Sequence, residues 1–172
     1  MNNTTNSALF LDRDGVINID YGYVFKKEKF DFIDGIFKFV KYFFDKGFEI
    51  IIITNQSGIA RQYYTESDFQ NISKYMSDKF LENGIIISKI YHCSCHPDFS
   101  DNCECRKPKP NMILQAKSDF QLDLTSSILV GDSKTDIEAG QKAGIVQNYL
   151  FKMDNINFKE LLDLIINSRI TK

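Results

Sequence analysis

A chain of 172 residues is most simply one domain, and at this length folding can bury roughly 70% of the unfolded surface in a full core. Its 21 Lys and Arg against 23 Asp and Glu leave a net charge of −2, which excludes general attraction to nucleic acid or acidic membranes, so any phosphate must be bound by individually placed groups. The opening "MNNTTNS" lacks the basic and apolar regions of a secretory signal and reads as a frayed tail over about residues 1–6, and the longest apolar runs, such as "FEIIII", fall far short of the roughly 18 residues that span a bilayer. A cytoplasmic protein is expected.

In chain order, strand-like apolar runs occupy Ala8 to Leu11, Glu49 to Ile53, Ile86 to Tyr91, Ser127 to Val130 and Val146 to Leu150. Between them, Gly35 to Phe44 places Ile36, Phe39, Val40, Phe43 and Phe44 on one helical stripe, and Thr65-x-x-Asp68 opens the next helix as a capping box with Asp in place of Glu. A third helix is expected near Pro110, a fourth near Thr135 and a last over Asn157 to Asn167. The alternation predicts an α/β fold: a three-layer, Rossmann-like parallel sheet with helices on both faces, spanning residues 1–172 as a single domain. The segment "HCSCHPDFSDNCECRKPKP" fits neither pattern and needs another source of order.

The stretch "FLDRDGVIN" sets Asp12 and Asp14 at the end of the first strand, "IIIITNQSG" ends the second with Thr54, Asn55 and Ser57, and "ILVGDSKTD" ends another with Asp132 and Asp136. Such residues also serve as plain turn formers. Parallel strands, however, bring their carboxyl ends to one edge, where open α/β sheets bind ligands. Carboxylates gathered there repel unless a cation neutralises them, and hard oxygen ligands suit Mg²⁺.

"FLDRDGVIN", "TNQSG", "RKPKP" and "VGDSKTD" resemble the four motifs of the haloacid dehalogenase superfamily of phosphatases. The resemblance implies that Asp12 attacks the phosphoryl group and that Asp14 protonates the leaving oxygen and then activates water. It further implies that Thr54 hydrogen-bonds the transferring group, that Lys107 neutralises its charge, and that Asp12, the main-chain carbonyl of Asp14 and Asp132 hold Mg²⁺. Asp136 either touches the metal or orients Lys107 and caps the fourth helix; the second role is the one expected.

All four cysteines, Cys93, Cys95, Cys103 and Cys105, fall in the irregular segment as C-x-C-x7-C-x-C. In a reducing compartment such clustered thiols point to a closed structural Zn²⁺ site within a loop over 92–106, with free thiols as the alternative and His92 and His96 as possible competing ligands. Because Arg106 and Lys107 follow Cys105 directly, a metal knot would fix two cations at the mouth of the site.

Within the superfamily, "LDRDGVIN", "DYGYV", "FIDG", "TNQSGIAR" and "CRKPKPNM" resemble the heptose 1,7-bisphosphate 7-phosphatases, which carry no large cap domain. The resemblance implies removal of the C7 phosphate of a heptose bisphosphate by a monomeric enzyme of nucleotide-activated heptose and lipopolysaccharide biosynthesis. It also implies a phosphosugar substrate held by Asp20, Tyr21, Gly22, Tyr23, Asn55, Gln56, Ser57 and Arg106. For Tyr21 and Tyr23, surface packing of the loop is the equal alternative. Family members place C-x-H where this chain has Cys93-x-Cys95, and some carry a lysine at Ser133. Two other readings are a histidinol-phosphate phosphatase, whose family usually reads "TNQDG", and a phosphosugar-binding protein without turnover.

Overall fold

The computed structural model describes residues 6–99 and 102–170. Five strands, β1 (Ala8–Leu11), β2 (Glu49–Asn55), β3 (Lys89–Cys93), β4 (Ile128–Gly131) and β5 (Gln147–Leu150), form one parallel sheet in the order β3-β2-β1-β4-β5. Phe10 of β1 pairs with Ile51 of β2 on one side and Leu129 of β4 on the other, which seats the Asp12 strand at the centre.

Side chains alternate across a strand, so β1 serves both faces. Leu9 and Leu11 join a core with Ile50, Ile52, Ile128 and Val130 under helices α1 (Ile36–Asp45), α2 (Glu66–Glu82) and α5 (Phe158–Ile170). Ala8 and Phe10 face the opposite core with Ile51, Ile53 and Leu129, under α3 (Asn111–Phe120) and α4 (Lys134–Ala143). The three layers expected from the sequence are present. The stripe read on α1 buries Ile36, Phe39, Val40 and Phe43, worth about 1.5–3 kcal/mol for each large apolar side chain. The Thr65 and Asp68 capping box closes reciprocally, as its spacing predicts.

Two boundaries differ from expectation. The run Ile86 to Tyr91 enters the sheet only at Lys89, because Ile85 is spent closing the end of α2 and plugging the core, while Ile86 is 60% exposed. β5 is an edge strand with no fully buried residue, so it lacks the two-sided burial of its neighbours. Of the expected frayed tail, residues 1–5 lie outside the described residues. Asn6 is tied down: its amide Nδ2 donates to the Phe120 carbonyl at 2.8 Å and its own carbonyl accepts from Asp123 N at 2.9 Å.

Between β1 and α1 the chain holds one short 3-10 turn, Lys27–Lys29, and no cap domain. Among the described residues no helix is long and apolar enough to cross a membrane.

Candidate active site

Three parallel strands deliver their polar termini to one edge of the sheet. β1 ends before Asp12, β2 ends at Thr54 and Asn55, and β4 runs out at Gly131 just before Asp132. These residues, with Asp14, Lys107 and Asp136, line one cleft of about 260 Å³. Gly15 makes the close approach possible: its φ is +82°, and a Cβ there would stand 2.7 Å from Asp132 Cγ.

The centre of the cleft is a buried cation between carboxylates. Lys107 Nζ donates to Asp12 Oδ1 at 2.8 Å and to the Ile53 carbonyl at 2.9 Å, and it pairs with Asp136 Oδ1 at 2.6 Å. Asp136 also closes a capping box at the start of α4, accepting at Oδ2 from Ser133 N at 2.9 Å and from Ser133 Oγ at 2.6 Å. Asp136 Oδ1 thus faces Lys107 and Oδ2 the start of α4.

Charge balance at this edge is incomplete. Burial pushes the Asp12 carboxyl up to about 7, against the attraction of Lys107, with repulsion from Asp136 adding to the rise. Burial and Asp136 likewise raise Asp132, with Lys152 opposing from 3.7 Å. For Lys107, burial alone would lower the ammonium, but Asp12 and Asp136 outweigh it and hold it charged. Asp136 remains ionised for the matching reason: burial opposes its charge, and Lys107 and Ser133 overcome that cost. Carboxylate oxygens of Asp12, Asp132 and Asp136 lie within 4.8 Å of one another, and with Asp136 engaged, Asp12 and Asp132 are the pair fitted to a hard divalent cation.

Asp14 sits in a ring of donors. Arg13, fully buried, reaches it through Nη2 at 2.8 Å and Nε at 3.2 Å; Asn18 Nδ2 donates to Oδ1 at 3.0 Å and Gln56 Nε2 to Oδ2 at 3.0 Å. Arg13 also donates to the Val24 carbonyl at 2.7 Å and lies 5.9 Å from the ring centroids of both Phe30 and Phe69. Sequence reasoning missed Arg13, although its place between two aspartates was the available signal. It also missed Tyr64, which lines the cleft and which no pattern announces.

The expected substrate residues divide. Asp20, Gly22, Tyr23, Asn55, Gln56 and Ser57 line the cleft. Tyr21 lies outside that lining, its hydroxyl donating to Asp31 Oδ2 at 2.8 Å. Asn55 clamps the backbone of Lys107, accepting from its N–H at 3.0 Å and donating to its carbonyl at 3.3 Å. Arg106 is also outside the lining; its Nη1 donates to the Cys95 carbonyl at 3.2 Å.

The cysteine loop leaves β3 beside β2, with Asn55 paired to Cys93 in register. All four Sγ atoms lie within 4.8 Å of one another; Cys93 and Cys103 are 3.4 Å apart, Cys103 and Cys105 3.6 Å, and Cys95 and Cys105 3.7 Å. Cys93 and Cys105 are in disulfide contact, a pairing the sequence reading did not anticipate. That bond accounts for two sulfurs and leaves the convergence of Cys95 and Cys103 unexplained. The histidines bond elsewhere: His92 Nε2 to Glu66 at 3.0 Å, and His96 Nε2 to Arg61 Nη2 at 2.6 Å while its Nδ1 accepts from Asp98 N at 3.1 Å. Residues 100–101 of the expected loop lie outside the described residues.

Comparison with known proteins agrees with this geometry. A profile of haloacid dehalogenase-like hydrolases matches residues 15–147. The chain is 53% identical over 138 residues to a D-glycero-alpha-D-manno-heptose-1,7-bisphosphate 7-phosphatase of Campylobacter jejuni, covering 80% of this chain and 78% of that protein. It is 44% identical over 172 residues to the corresponding beta-anomer enzyme of Helicobacter pylori, covering 94% and 98%. Its fold is similar to the crystal structure of D,D-heptose 1,7-bisphosphate phosphatase from B. bronchiseptica complexed with magnesium and phosphate, with a TM-score of 0.77, 23% identity, and coverage of 94% and 99%. A carboxylate-rich cleft at the strand ends, a profile match over most of the length and relatives of 44–53% identity together establish that the chain belongs to the haloacid dehalogenase-like hydrolases and is a phosphoric monoester hydrolase.

Proposed function

We propose that the protein removes the C7 phosphate of D-glycero-D-manno-heptose 1,7-bisphosphate through an aspartyl-phosphate on Asp12. The observation that carries the reading is the convergence of Asp12, Asp14, Thr54, Lys107 and Asp132 in one cleft, in a chain whose relatives are named for that substrate. An oxygen of Asp12 attacks phosphorus as the ester oxygen departs, and Asp14 gives the leaving oxygen its proton. Water then attacks the aspartyl-phosphate, yielding its proton to Asp14, so that phosphate leaves and both carboxyl groups return to their starting forms. Arg13, Asn18 and Gln56 hold the Asp14 carboxyl in place for both half-reactions.

Lys107, held by Asp136 and Ile53, is positioned to offset charge on the transferring group, and Thr54 stands beside it. Asp12, Asp132 and the Asp14 carbonyl would hold Mg²⁺, which when bound neutralises the excess carboxylate charge and polarises the phosphoryl oxygens. The raised Asp12 and Asp132 carboxyls support that fit, because burial and the neighbouring Asp136 charge push both up against the attraction of Lys107 and Lys152, and a divalent cation between them would offset that cost.

The four cysteines are proposed as a structural Zn²⁺ site. A tetrahedron with Zn–S bonds of about 2.3 Å has sulfur-to-sulfur edges of about 3.8 Å. The spacings of 3.4, 3.6 and 3.7 Å fall near that value, and the Cys93–Cys105 bond is the oxidised alternative of the same cluster. Asp20, Tyr21, Gly22, Tyr23, Asn55, Gln56, Ser57 and Arg106 are kept as the proposed sugar and remote-phosphate contacts, with the whole chain acting as one domain, monomeric and cytoplasmic.

The test is phosphate release from both anomers of the bisphosphate, from histidinol phosphate and from a simple phosphomonoester, measured in parallel. The reading predicts the highest kcat/KM on one or both heptose bisphosphates. A preference for histidinol phosphate would replace it.

A further inference from the structure

Tyr64 is buried at the cleft wall, and its hydroxyl donates to Gln56 Oε1. Gln56, 2% exposed, then points Nε2 at two groups of the reaction, Asp14 Oδ2 at 3.0 Å and Thr54 Oγ1 at 2.8 Å. Both amide protons are therefore committed. Burial raises the Tyr64 hydroxyl to about 12, so it remains a donor near neutral pH. The ring is fixed as well: it stacks on Phe25 with centroids 5.1 Å apart, and a Cβ at Gly58 would come within 2.8 Å of its Cζ.

An amide side chain can present either its oxygen or its nitrogen to the same neighbour, and the rest of the network decides which. Here the Gln56 nitrogen faces Asp14 and Thr54, and its oxygen, buried with it, is held by the Tyr64 hydroxyl. Without that donation the buried Oε1 would lose its bond, and the amide would gain by turning to find another. A turned amide would take at Oε1 the proton that Asp14 delivers to the leaving group, and would draw the Thr54 hydroxyl proton onto Oε1 and away from the phosphoryl group. The donation from Tyr64 opposes that turn.

We infer that Tyr64 is a positioning residue that acts through Gln56, locking the amide so that the Asp14 proton and the Thr54 hydroxyl both stay aimed at the substrate. The inference rests on the acid role proposed for Asp14. Its effect belongs to the step in which the leaving oxygen needs a proton. An alkyl phosphate such as the sugar bisphosphate needs that proton, whereas p-nitrophenyl phosphate expels a stabilised phenolate without it.

The experiment compares kcat/KM on the heptose bisphosphate and on p-nitrophenyl phosphate for wild type, Tyr64→Phe, Gln56→Ala, the double variant and Asp14→Asn. This parameter covers steps only through leaving-group departure, so the later use of Asp14 as a base does not enter. Tyr64→Phe should lose about 10-fold on the sugar phosphate and less than about 2-fold on the aryl phosphate. In the Gln56→Ala background, Tyr64→Phe should cost nothing further, because the path through the amide is already broken. Equal losses on the two substrates, or losses that multiply in the double variant, overturn the inference. Should Tyr64→Phe fail to fold, Gln56→Met decides on ethyl phosphate against p-nitrophenyl phosphate, neither of which offers a sugar to contact: a loss confined to the alkyl phosphate supports the inference, and equal losses overturn it. Asp14→Asn separates this from the underlying reading. If it hits both substrates alike, the acid role falls and the inference with it; if it discriminates and Tyr64→Phe does not, the inference alone falls.

Discussion

Replacing Asp12 by Asn separates the cost of its charge from its chemistry. Lys107 keeps the Asp136 carboxylate at 2.6 Å and the Ile53 carbonyl at 2.9 Å, and an amide oxygen at position 12 can still accept from Nζ. What disappears is a buried negative charge whose pKa rises from 3.8 to about 7, chiefly through burial. A carboxyl group with a raised folded-state pKa contributes stability that is full below about pH 4 and lost as pH climbs toward 7. Above that range the metal-free native state bears a penalty with a ceiling on the order of 4 kcal/mol. Asp12→Asn removes this titration. In magnesium-free buffer the variant should therefore be more stable than wild type at about pH 8, and the difference should shrink or reverse near pH 4. Urea unfolding of both proteins across that range reads it directly, and phosphate release on the same samples should be abolished in the variant. Wild type equal to or more stable than the variant at pH 8 would refute the electrostatic argument, and substantial turnover by the variant would refute Asp12 as nucleophile.

Further expectations concern the surroundings of that centre. Protein purified without chelator should contain about one zinc per chain, and Cys103→Ser should destabilise it by several kcal/mol; zinc-free protein with an intact Cys93–Cys105 disulfide would refute the metal site. Gly15→Ala adds a Cβ at a φ of +82° that stands 2.7 Å from Asp132 Cγ, so the Mg²⁺ concentration for half-maximal activity should rise sharply, and an unchanged requirement would contradict the proposed metal ligands. Arg106→Ala should lower kcat/KM for the bisphosphate about 10-fold or more while sparing a small monophosphate, if the guanidinium meets the remote phosphate beside its bond to the Cys95 carbonyl. Equal losses would reduce Arg106 to a brace for the cysteine loop.

Much of this was legible because it depends on local chemistry repeated at strand ends. Continuous apolar runs, the α1 stripe and the Thr65-to-Asp68 spacing are read from the chain itself, and parallel strands then force Asp12, Thr54 and Asp132 to one edge. The late entry of β3 was not legible, since Ile85 and Ile86 look alike in sequence and only the packing against α2 separates the buried from the exposed one. The same limit applies to polar residues. Asn55 and Arg106 read as substrate contacts by their place in motifs, and what else such side chains bond depends on neighbours distant in sequence. Asn55 bonds the Lys107 backbone, 52 residues away. Tyr64 matters only because Gln56 turns to meet it, a relation set by the loop after β2 and by the room Gly58 leaves.

The central claim is regiochemical, and phosphorus NMR of the heptose 1,7-bisphosphate during turnover tests it most directly. The account predicts that the C7 phosphomonoester resonance disappears as inorganic phosphate grows in, while the C1 anomeric phosphate signal persists at full intensity. Loss of the C1 signal with C7 retained, or a bisphosphate left intact by protein that carries its metals, would contradict it.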